Sequence, residues 1–312
     1  MDMEEHKISI IGKGMIGIGF AALLTGNGIP VTVLAKDVAI GRARYRDIFS
    51  FLEANHLVTP RQTMICEKLL SFAETYEEIA DTQIVLECVV ENLAVKQNVY
   101  RELESHCKHL LAIASASSAL SPDILAETVT RKDLLLVAHP YNPAYLVPCV
   151  EVVSSQYTSQ QATDVICTLL TAMKREVIVM QKAAPGFIAN RIQHAMIREA
   201  LHMVQEGIAT PEDIDRAIKT SFAPRYTSVG LLENIDNAGL DLEASVEDYL
   251  FPELGNSNRA PTYMTERISR GDLGAKTGQG IFTNWTKEKV ADLTYRAAKP
   301  YLSYFNWSLP NK

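Results

Sequence analysis

A glycine-rich turn near the beginning of the chain constrains the fold more than any other feature. It spans residues 12–17 in the pattern Gly-x-Gly-x-x-Gly, between an apolar run at residues 7–11 and a helical pattern at residues 15–25. A second apolar run follows at residues 31–34. Glycines in this setting permit a tight turn and let backbone N–H groups approach a pyrophosphate. The pattern predicts a βαβ unit that binds a dinucleotide. The residues assigned to this site are Gly12, Gly14, Met15, Ile16 and Gly17.

The rest of the chain shows two kinds of pattern. Apolar runs at residues 82–90, 110–114 and 134–138 alternate with helical patterns, which predicts a mostly parallel, doubly wound α/β sheet of the Rossmann type. After a last strand at residues 176–180 the patterns are helical, and Thr210 followed by a proline is typical of a helix start. The sequence therefore predicts a Rossmann domain over residues 1–184 and an all-helical domain over residues 185–312.

The end of the second predicted strand bears on the choice of cofactor. An acid at this position accepts hydrogen bonds from the adenosine ribose of NAD, but Ala35 stands there, followed by Lys36 and Asp37. A missing carboxylate beside Lys36, with Arg42 and Arg44 close behind, suits the 2′-phosphate of NADP. In the alternative, Asp37 is slightly displaced and still serves NAD. We expect NAD, with Lys36 in the cofactor site and NADP as the alternative.

Composition and charge narrow the class of partner. The chain has 312 residues and a formal net charge of −7, whereas proteins that bind nucleic acid carry clustered Lys and Arg in excess. No apolar run approaches the roughly 20 residues of a membrane-spanning helix. The five cysteines form no Cys-x-x-Cys pair, and His106, Cys107 and His109 lack a second ligand cluster. We expect a cytoplasmic, soluble protein without a metal, acting on a small molecule.

Five separate segments of the chain together carry a family resemblance. They are residues 87–96, the Ser-Ala-Ser-Ser run at 115–118, the segment 139–151 that begins His-Pro-Tyr-Asn-Pro, the Pro-Gly-Phe-Ile-Ala-Asn-Arg run at 185–191 and the glycine-rich loop at 271–280. In all five the chain resembles the 3-hydroxyacyl-CoA dehydrogenase family, whose corresponding site segments read Asn-Thr-Ser-Ser and His-Phe-Phe-Asn-Pro. The resemblance covers nearly the full length and implies a helical domain that dimerises.

The resemblance also implies a role for individual residues. Glu91 and Lys96 are expected near the nicotinamide end of the cofactor. His139 is expected to take the proton of the substrate hydroxyl, since imidazole is a base near neutrality. Glu151 is expected on the other ring nitrogen, where a carboxylate stabilises the imidazolium. The remaining predicted site residues are Ser117, or its neighbour Ser118, as a donor to the substrate oxygen, with Asn142 and Asn190 to hold the substrate.

The sequence leaves two classes of substrate open, with an acyl-CoA thioester as the expected one and a free hydroxy acid as the alternative. The glycine-rich closing loop and residues 236–241 look like the acyl-CoA branch of the family, which favours a short L-3-hydroxyacyl-CoA and a role in fatty acid metabolism. Pro140 and its surroundings are closer to the branch of lambda-crystallin and the L-gulonate and carnitine dehydrogenases, which oxidise free hydroxy acids. In that case Arg225 is expected to meet the free carboxylate. A third interpretation, a non-catalytic dinucleotide-binding protein, conflicts with the intact set of His139, Glu151, Ser117 and Asn190.

Overall fold

The computed structural model describes residues 5–310, and these divide into two compact units. The first comprises the described residues through Ile188 together with those from Arg296 onward, and the second comprises Ala189–Tyr295. Among the described residues, no helix combines the length and the apolar character that crossing a membrane requires.

An eight-stranded sheet forms the centre of the first unit. The strands are β1 (Ile8–Ile11), β2 (Val31–Leu34), β3 (Leu70–Ala73), β4 (Ile84–Glu87), β5 (Ala112–Ser115), β6 (Leu135–Pro140), β7 (Cys149–Ser154) and β8 (Glu176–Val179). Their order across the sheet is β3-β2-β1-β4-β5-β6-β7-β8. Every neighbouring pair is parallel except β6 and β7. The predicted Rossmann-type, mostly parallel sheet is confirmed, and β3 and β7 are strands that the sequence patterns did not predict.

Helices cover both faces of this sheet. They are α1 (Met15–Gly26), α2 (Val38–Ala54), α3 (Pro60–Lys68), α4 (Leu93–His106), α5 (Pro122–Leu125) and α6 (Gln160–Ala172). One apolar layer packs α1, α2 and α6 against the sheet through side chains such as Phe20, Phe49 and Leu169, and a second layer includes Tyr100 and Leu103 of α4. Because both faces are buried, β1, β4 and β5 are continuous apolar or small-residue runs rather than alternating ones.

The second unit is helical, as predicted. Its helices are α7 (Ala189–Gln205), α8 (Pro211–Thr220), α9 (Leu231–Ala238), α10 (Leu240–Leu250), α11 (Thr262–Ser269) and the greater part of α12 (Lys287–Ala298). Thr210 caps α8 by accepting a hydrogen bond from the Asp213 backbone N–H, and Pro211 occupies the first turn. Within Ala189–Tyr295 the buried apolar side chains are those of Leu201 and Ile214. This unit therefore has little core of its own.

The end of the chain differs from the predicted domain limits. The sequence placed all of residues 185–312 in the helical domain, but the described residues from Arg296 onward belong to the first unit, which also extends to Ile188. Trp307 explains this return. Its ring centroid lies 6.2 Å from that of Phe49. The same ring fills the space that a side chain at position 26 would need, which is free because this residue is Gly26. The Ser308 N–H donates to Oδ1 of Asn27 at 2.8 Å. Packing on α1 and α2 thus assigns this segment to the first unit.

Candidate active site

The carboxyl ends of four parallel strands bring the predicted site residues to one edge of the sheet. The glycine turn follows β1, Glu87 ends β4, Ser115 ends β5 and His139 lies near the end of β6. After β3 the chain crosses to the other side of β1 to form β4. Ligands of open α/β sheets bind in the crevice at such a switch point. The site is therefore built where this fold places its ligands.

The glycine turn has the shape that a dinucleotide pyrophosphate requires. Gly12 has φ of +117°, and a side chain there would place its Cβ 2.6 Å from the carbonyl oxygen of Cys88. A Cβ on Gly17 would collide with the carbonyl oxygen of Gly12. At Gly14, by contrast, the nearest atom to an added Cβ is 3.9 Å away. No side chain caps α1 and its first turn contains no acid, so the N-terminal amides of this helix suit an anionic phosphate group.

A carboxylate is present at the end of β2, two residues beyond its expected place. Ala35 is buried and Lys36 is exposed, whereas Asp37 forms an ion pair with Lys13 at 2.8 Å. Arg44 donates to the carbonyl oxygen of Lys13 at 2.7 Å, which ties α2 to the glycine turn. This arrangement agrees with the alternative in which a displaced Asp37 serves NAD.

His139 and Glu151 form a buried pair because β6 and β7 are antiparallel. The ladder sets the two residues directly opposite each other, where side chains project to the same face with Cβ atoms about 5 Å apart. His139 Nδ1 lies 3.0 Å from Glu151 Oε2, and the exposed fractions of the two residues are 5% and 0%. The loop at residues 141–148 returns the chain, and the register of β6 and β7 then defines the separation of the two side chains.

Two further donors hydrogen-bond to the Glu151 carboxylate. The Tyr141 hydroxyl donates to Oε2 at 2.9 Å, and the Ile188 N–H donates to Oε1 at 2.9 Å. The His139 ring packs edge-on against Tyr141, at 4.8 Å between centroids, and 5.4 Å from Phe187. A carboxylate is an acceptor, so Nδ1 carries the proton and Nε2 keeps a lone pair. Within residues 5–310 no protein group hydrogen-bonds to Nε2, which leaves it available as a base.

A second buried polar cluster lies at the ends of β4 and β5. Lys96 Nζ contacts both carboxylate oxygens of Glu87, at 3.0 and 3.1 Å. Tyr100 and Ser115 also donate to Glu87, at 2.8 and 2.7 Å. All four residues are at most 1% exposed. The network satisfies a buried ion pair that would otherwise be costly.

Glu91 links this cluster to the loop that holds the predicted serine. Its Oε2 lies 3.4 Å from Lys96 Nζ, and its Oε1 accepts from the Ser117 hydroxyl and from the backbone N–H groups of residues 118–120. Desolvation raises the pKa of Glu91, but the Ser117 hydrogen bond, the Lys96 charge and the backbone donors outweigh it and hold the pKa below its usual value. Ser117 is buried and its oxygen accepts from the Leu120 N–H at 3.0 Å. This geometry matches a loop-capping hydroxyl, and a role toward substrate stays a prediction.

The other predicted residues are not brought into this set of contacts. Asn142 is exposed. Asn190 is the second residue of α7 and Arg225 begins a short 3₁₀ turn, both in the second unit, so their roles toward substrate stay predictions.

Sequence reasoning missed the contributions of several polar residues that are buried or, in the case of Tyr141, half-buried. These are Glu87, Tyr100, Ser115 and Tyr141. A signal for the first cluster was present, since Glu87 is a charged residue that ends an apolar run and two later polar residues, Lys96 and Tyr100, lie one helical turn apart on α4.

Comparison with known proteins gives a consistent relationship. The 3-hydroxyacyl-CoA dehydrogenase NAD binding domain matches residues 7–183, and the C-terminal domain of the same family matches residues 186–284. A crystal structure of 5-formyl-3-hydroxy-2-methylpyridine 4-carboxylic acid 5-dehydrogenase, an NAD⁺-dependent dismutase, has a TM-score of 0.86 at 26% identity and covers 96% of this chain and 97% of that chain.

Three curated relatives are named for different compounds. The chain is 28% identical to 5-formyl-3-hydroxy-2-methylpyridine 4-carboxylate 5-dehydrogenase of Mesorhizobium japonicum, covering 94% of this chain and 96% of the relative. It is 30% identical to L-carnitine dehydrogenase of Bacillus cereus, covering 94% and 82%. It is 28% identical to 3-hydroxybutyryl-CoA dehydrogenase of Clostridioides difficile, covering 88% and 98%.

Proposed function

The chain belongs to the 3-hydroxyacyl-CoA dehydrogenase family of NAD-dependent dehydrogenases, and we propose that it oxidises the hydroxyl group of a small free hydroxy acid with His139 as the general base. The observation that carries this proposal is the buried pair of His139 and Glu151, with Nδ1 to Oε2 at 3.0 Å. The pair lies at the same edge of the sheet as the glycine turn, with β4 and β5 between β1 and β6. It combines a base, its orienting carboxylate and a cofactor site at one edge.

The two side chains divide the proton chemistry between them. Nε2 of His139 removes the proton from the substrate hydroxyl as the carbon-bound hydrogen leaves. Glu151 holds Nδ1–H in place and stabilises the imidazolium that forms, because its negative charge is buried and already aligned with the ring. In the reverse direction the same imidazolium returns the proton.

The residues of the glycine turn fit NAD, the cofactor of this family. The N-terminal amides of α1 would hold the pyrophosphate at Gly14, where an added side chain meets open space. Asp37 is the carboxylate near the end of β2 that could receive the adenosine ribose. NAD, when bound, accepts the hydride from the carbon that carries the hydroxyl.

The relatives support a free acid as the substrate. A pyridine carboxylate and L-carnitine, named for two relatives aligned over 94% of this chain, both bear an unesterified carboxylate. The Pro140 departure from the His-Phe-Phe-Asn-Pro pattern points the same way. We propose Arg225, an exposed cation of the second unit, as the partner of this carboxylate.

A thioester substrate is the second candidate. It is supported by the similarity to 3-hydroxybutyryl-CoA dehydrogenase, which extends over 98% of that relative, and by the glycine-rich loop at residues 271–280. Under this alternative the protein acts on a short 3-hydroxyacyl-CoA in fatty acid metabolism.

The first experiment compares His139→Ala with the parent protein. We expect turnover to fall by about 10²- to 10⁴-fold, the usual contribution of a general base, with NAD affinity retained because the glycine turn is unchanged. Turnover is followed at the reduced-nicotinamide absorbance band and NAD binding by calorimetry. His109→Ala, which removes an exposed imidazole outside the site, is the control. Parent-like turnover in His139→Ala would refute the mechanism.

A substrate panel separates the two candidates. L-carnitine, free 3-hydroxybutyrate and 3-hydroxybutyryl-CoA are assayed in parallel with NAD and NADP. A higher kcat/KM for a free acid supports the lead proposal, whereas turnover of the thioester alone replaces it with the second candidate.

We also propose that the protein is a cytoplasmic homodimer. The second unit exposes apolar side chains that its own fold does not cover, and large exposed apolar patches mark association surfaces. Five free cysteines agree with a reducing compartment.

A further inference from the structure

The Glu151 carboxylate has a third polar neighbour that the proton chemistry above does not use. The Tyr141 hydroxyl donates to Oε2 at 2.9 Å, and this is the oxygen that faces His139 Nδ1 at 3.0 Å. One carboxylate oxygen is therefore shared between the imidazole and the phenol. The His-Phe-Phe-Asn-Pro pattern has a phenylalanine at this place, and phenylalanine has no hydroxyl that could share the oxygen.

We propose that Tyr141 is a positioning residue that limits how strongly Glu151 holds the proton on His139. This inference rests on the proposed function, since it concerns the same base. The hydrogen bond from the phenol neutralises part of the negative charge on Oε2 and orients the carboxylate. The attraction between Glu151 and the imidazolium is then weaker than it would be beside an unshared carboxylate.

The physical basis is the balance of donors around a buried anion. An ionised carboxylate offers about four lone-pair sites, and a buried one is stable only where donors occupy them. The Ile188 N–H serves Oε1, while Tyr141 and His139 serve Oε2. Removing the phenol takes one donor away from Oε2, so the attraction between carboxylate and imidazolium increases.

Apolar side chains and backbone groups also surround the pair. His139 lies on β6, Tyr141 directly after it, and Glu151 on β7. The segment before α7 contributes the ring of Phe187 and the backbone N–H of Ile188. On β8 the residue opposite Glu151 is the apolar Ile178. Among the described residues, Glu151 is the charged side chain in contact with His139.

The test is the pH dependence of turnover in Tyr141→Phe. The substitution keeps the ring that packs 4.8 Å from His139 and removes only the hydroxyl. We expect the midpoint of the rising limb of kcat against pH to move upward by roughly half to one pH unit. At the original midpoint a shift of this size lowers kcat by about two- to sixfold, with KM changed less than about twofold, because substrate binding is not involved.

Tyr145→Phe is the matched control. It removes a phenol from the same loop, where the ring of Tyr145 packs against Phe51 and its hydroxyl contacts neither His139 nor Glu151. Its pH profile should match the parent. In a Glu151→Gln background, Tyr141→Phe should cause no further shift, since the charge it shares is gone. An unchanged midpoint in Tyr141→Phe, or an equal shift in Tyr145→Phe, overturns the proposal.

A measurement without substrate separates this inference from the proposed function. NMR titration of the His139 imidazole in the NAD-bound protein should show the same upward shift in Tyr141→Phe, whatever compound the enzyme oxidises. Site-specific fluorotyrosine at position 141, a stronger donor in an unchanged fold, should shift the titration downward. Equal His139 titration in all three proteins contradicts the role of Tyr141 even where His139→Ala has abolished turnover. Only the His139→Ala assay tests whether His139 is the general base.

Discussion

Gly12 and Gly14 of the glycine turn have different surroundings, so the physical reason for a glycine differs between the two positions. Gly12 has a positive φ and lies against the backbone of Cys88, so its requirement is set by the folded chain itself. Gly14 meets nothing within 3.9 Å, so its requirement comes from the space that it leaves for a ligand. Sequence alone cannot separate these roles, since both residues belong to the same pattern.

Substitution by alanine should separate stability from cofactor binding. Gly12→Ala is expected to lower the free energy of unfolding by about 1–3 kcal/mol, the usual cost of a strained backbone position. Gly14→Ala is expected to leave unfolding nearly unchanged and to weaken NAD binding about tenfold or more, because a methyl group enters the pyrophosphate space. Urea unfolding and NAD calorimetry measure the two effects. Equal loss of stability in both variants would contradict this division.

At the residue scale, the chemical roles of the site residues could be predicted from the sequence more fully than the contacts of those residues. The family resemblance assigned the roles of base and supporting carboxylate to His139 and Glu151 before any geometry was known. The Tyr141 hydroxyl could not be assigned, because a phenol three residues from the end of an apolar run is equally compatible with packing. Its partner is ten residues away across a strand pair that was not predicted.

At the scale of elements, β3 and β7 are the strands that the sequence patterns did not predict. β7 contains a fully buried glutamate, and a buried charge argues against a strand until its partners are known. β3 has only four residues, one of them an exposed serine. The longer alternation of strands and helices was sufficient for the sheet class, but the antiparallel register that sets His139 opposite Glu151 depends on pairing over distance.

The stability that the loop at residues 117–120 contributes should depend on pH through the Glu91 carboxylate. The pKa of Glu91 is lower in the folded protein than in the unfolded chain, so the stability it contributes is present above the unfolded value of about 4.3 and is lost as the pH falls through the folded value. We expect the unfolding free energy of the parent to decrease more steeply below pH 5 than that of Glu91→Gln. Urea unfolding between neutral and acidic pH measures this difference.

The control for Glu91 is another carboxylate of the same unit. Glu127 is exposed, and its side chain pairs with no described residue, so Glu127→Gln should follow the parent at every pH. Parallel curves for the parent and Glu91→Gln would show that Glu91 does not stabilise the loop.

At the scale of the whole molecule, the two units differ in how much apolar surface they bury. In the second unit a run of side chains from α9 to the turn after α10 is 43% to 79% exposed. These residues are Leu231, Leu232, Leu240, Leu242, Val246, Tyr249, Leu250 and Phe251. A soluble monomer rarely exposes so much apolar surface in one stretch, which is the basis of the proposed homodimer.

Light scattering after size exclusion tests the dimer. We expect a mass of twice the 34.6 kDa chain for the parent, and monomer or aggregate for the double substitution Leu232→Glu with Tyr249→Glu, which places charges among these apolar groups. Ile40→Glu, at a 44% exposed position of the first unit, should leave the mass unchanged. A parent that elutes as a monomer over a wide concentration range would contradict the proposal.

The return of the chain end to the first unit has a consequence for biosynthesis. Because Trp307 packs beside Gly26, the helical unit is an insertion within the first unit rather than an appendage after it. Synthesis proceeds from the N-terminus. The ribosome must therefore synthesise the whole helical unit before the Trp307 ring is available to the core of the first unit. A nascent chain released after residue 295 contains every residue of the His139 pair and the cofactor turn, yet the surface of α1 and α2 that Trp307 covers is bare. We therefore expect such a truncated chain to be recognised by chaperones and proteases, although its active-site residues are all present.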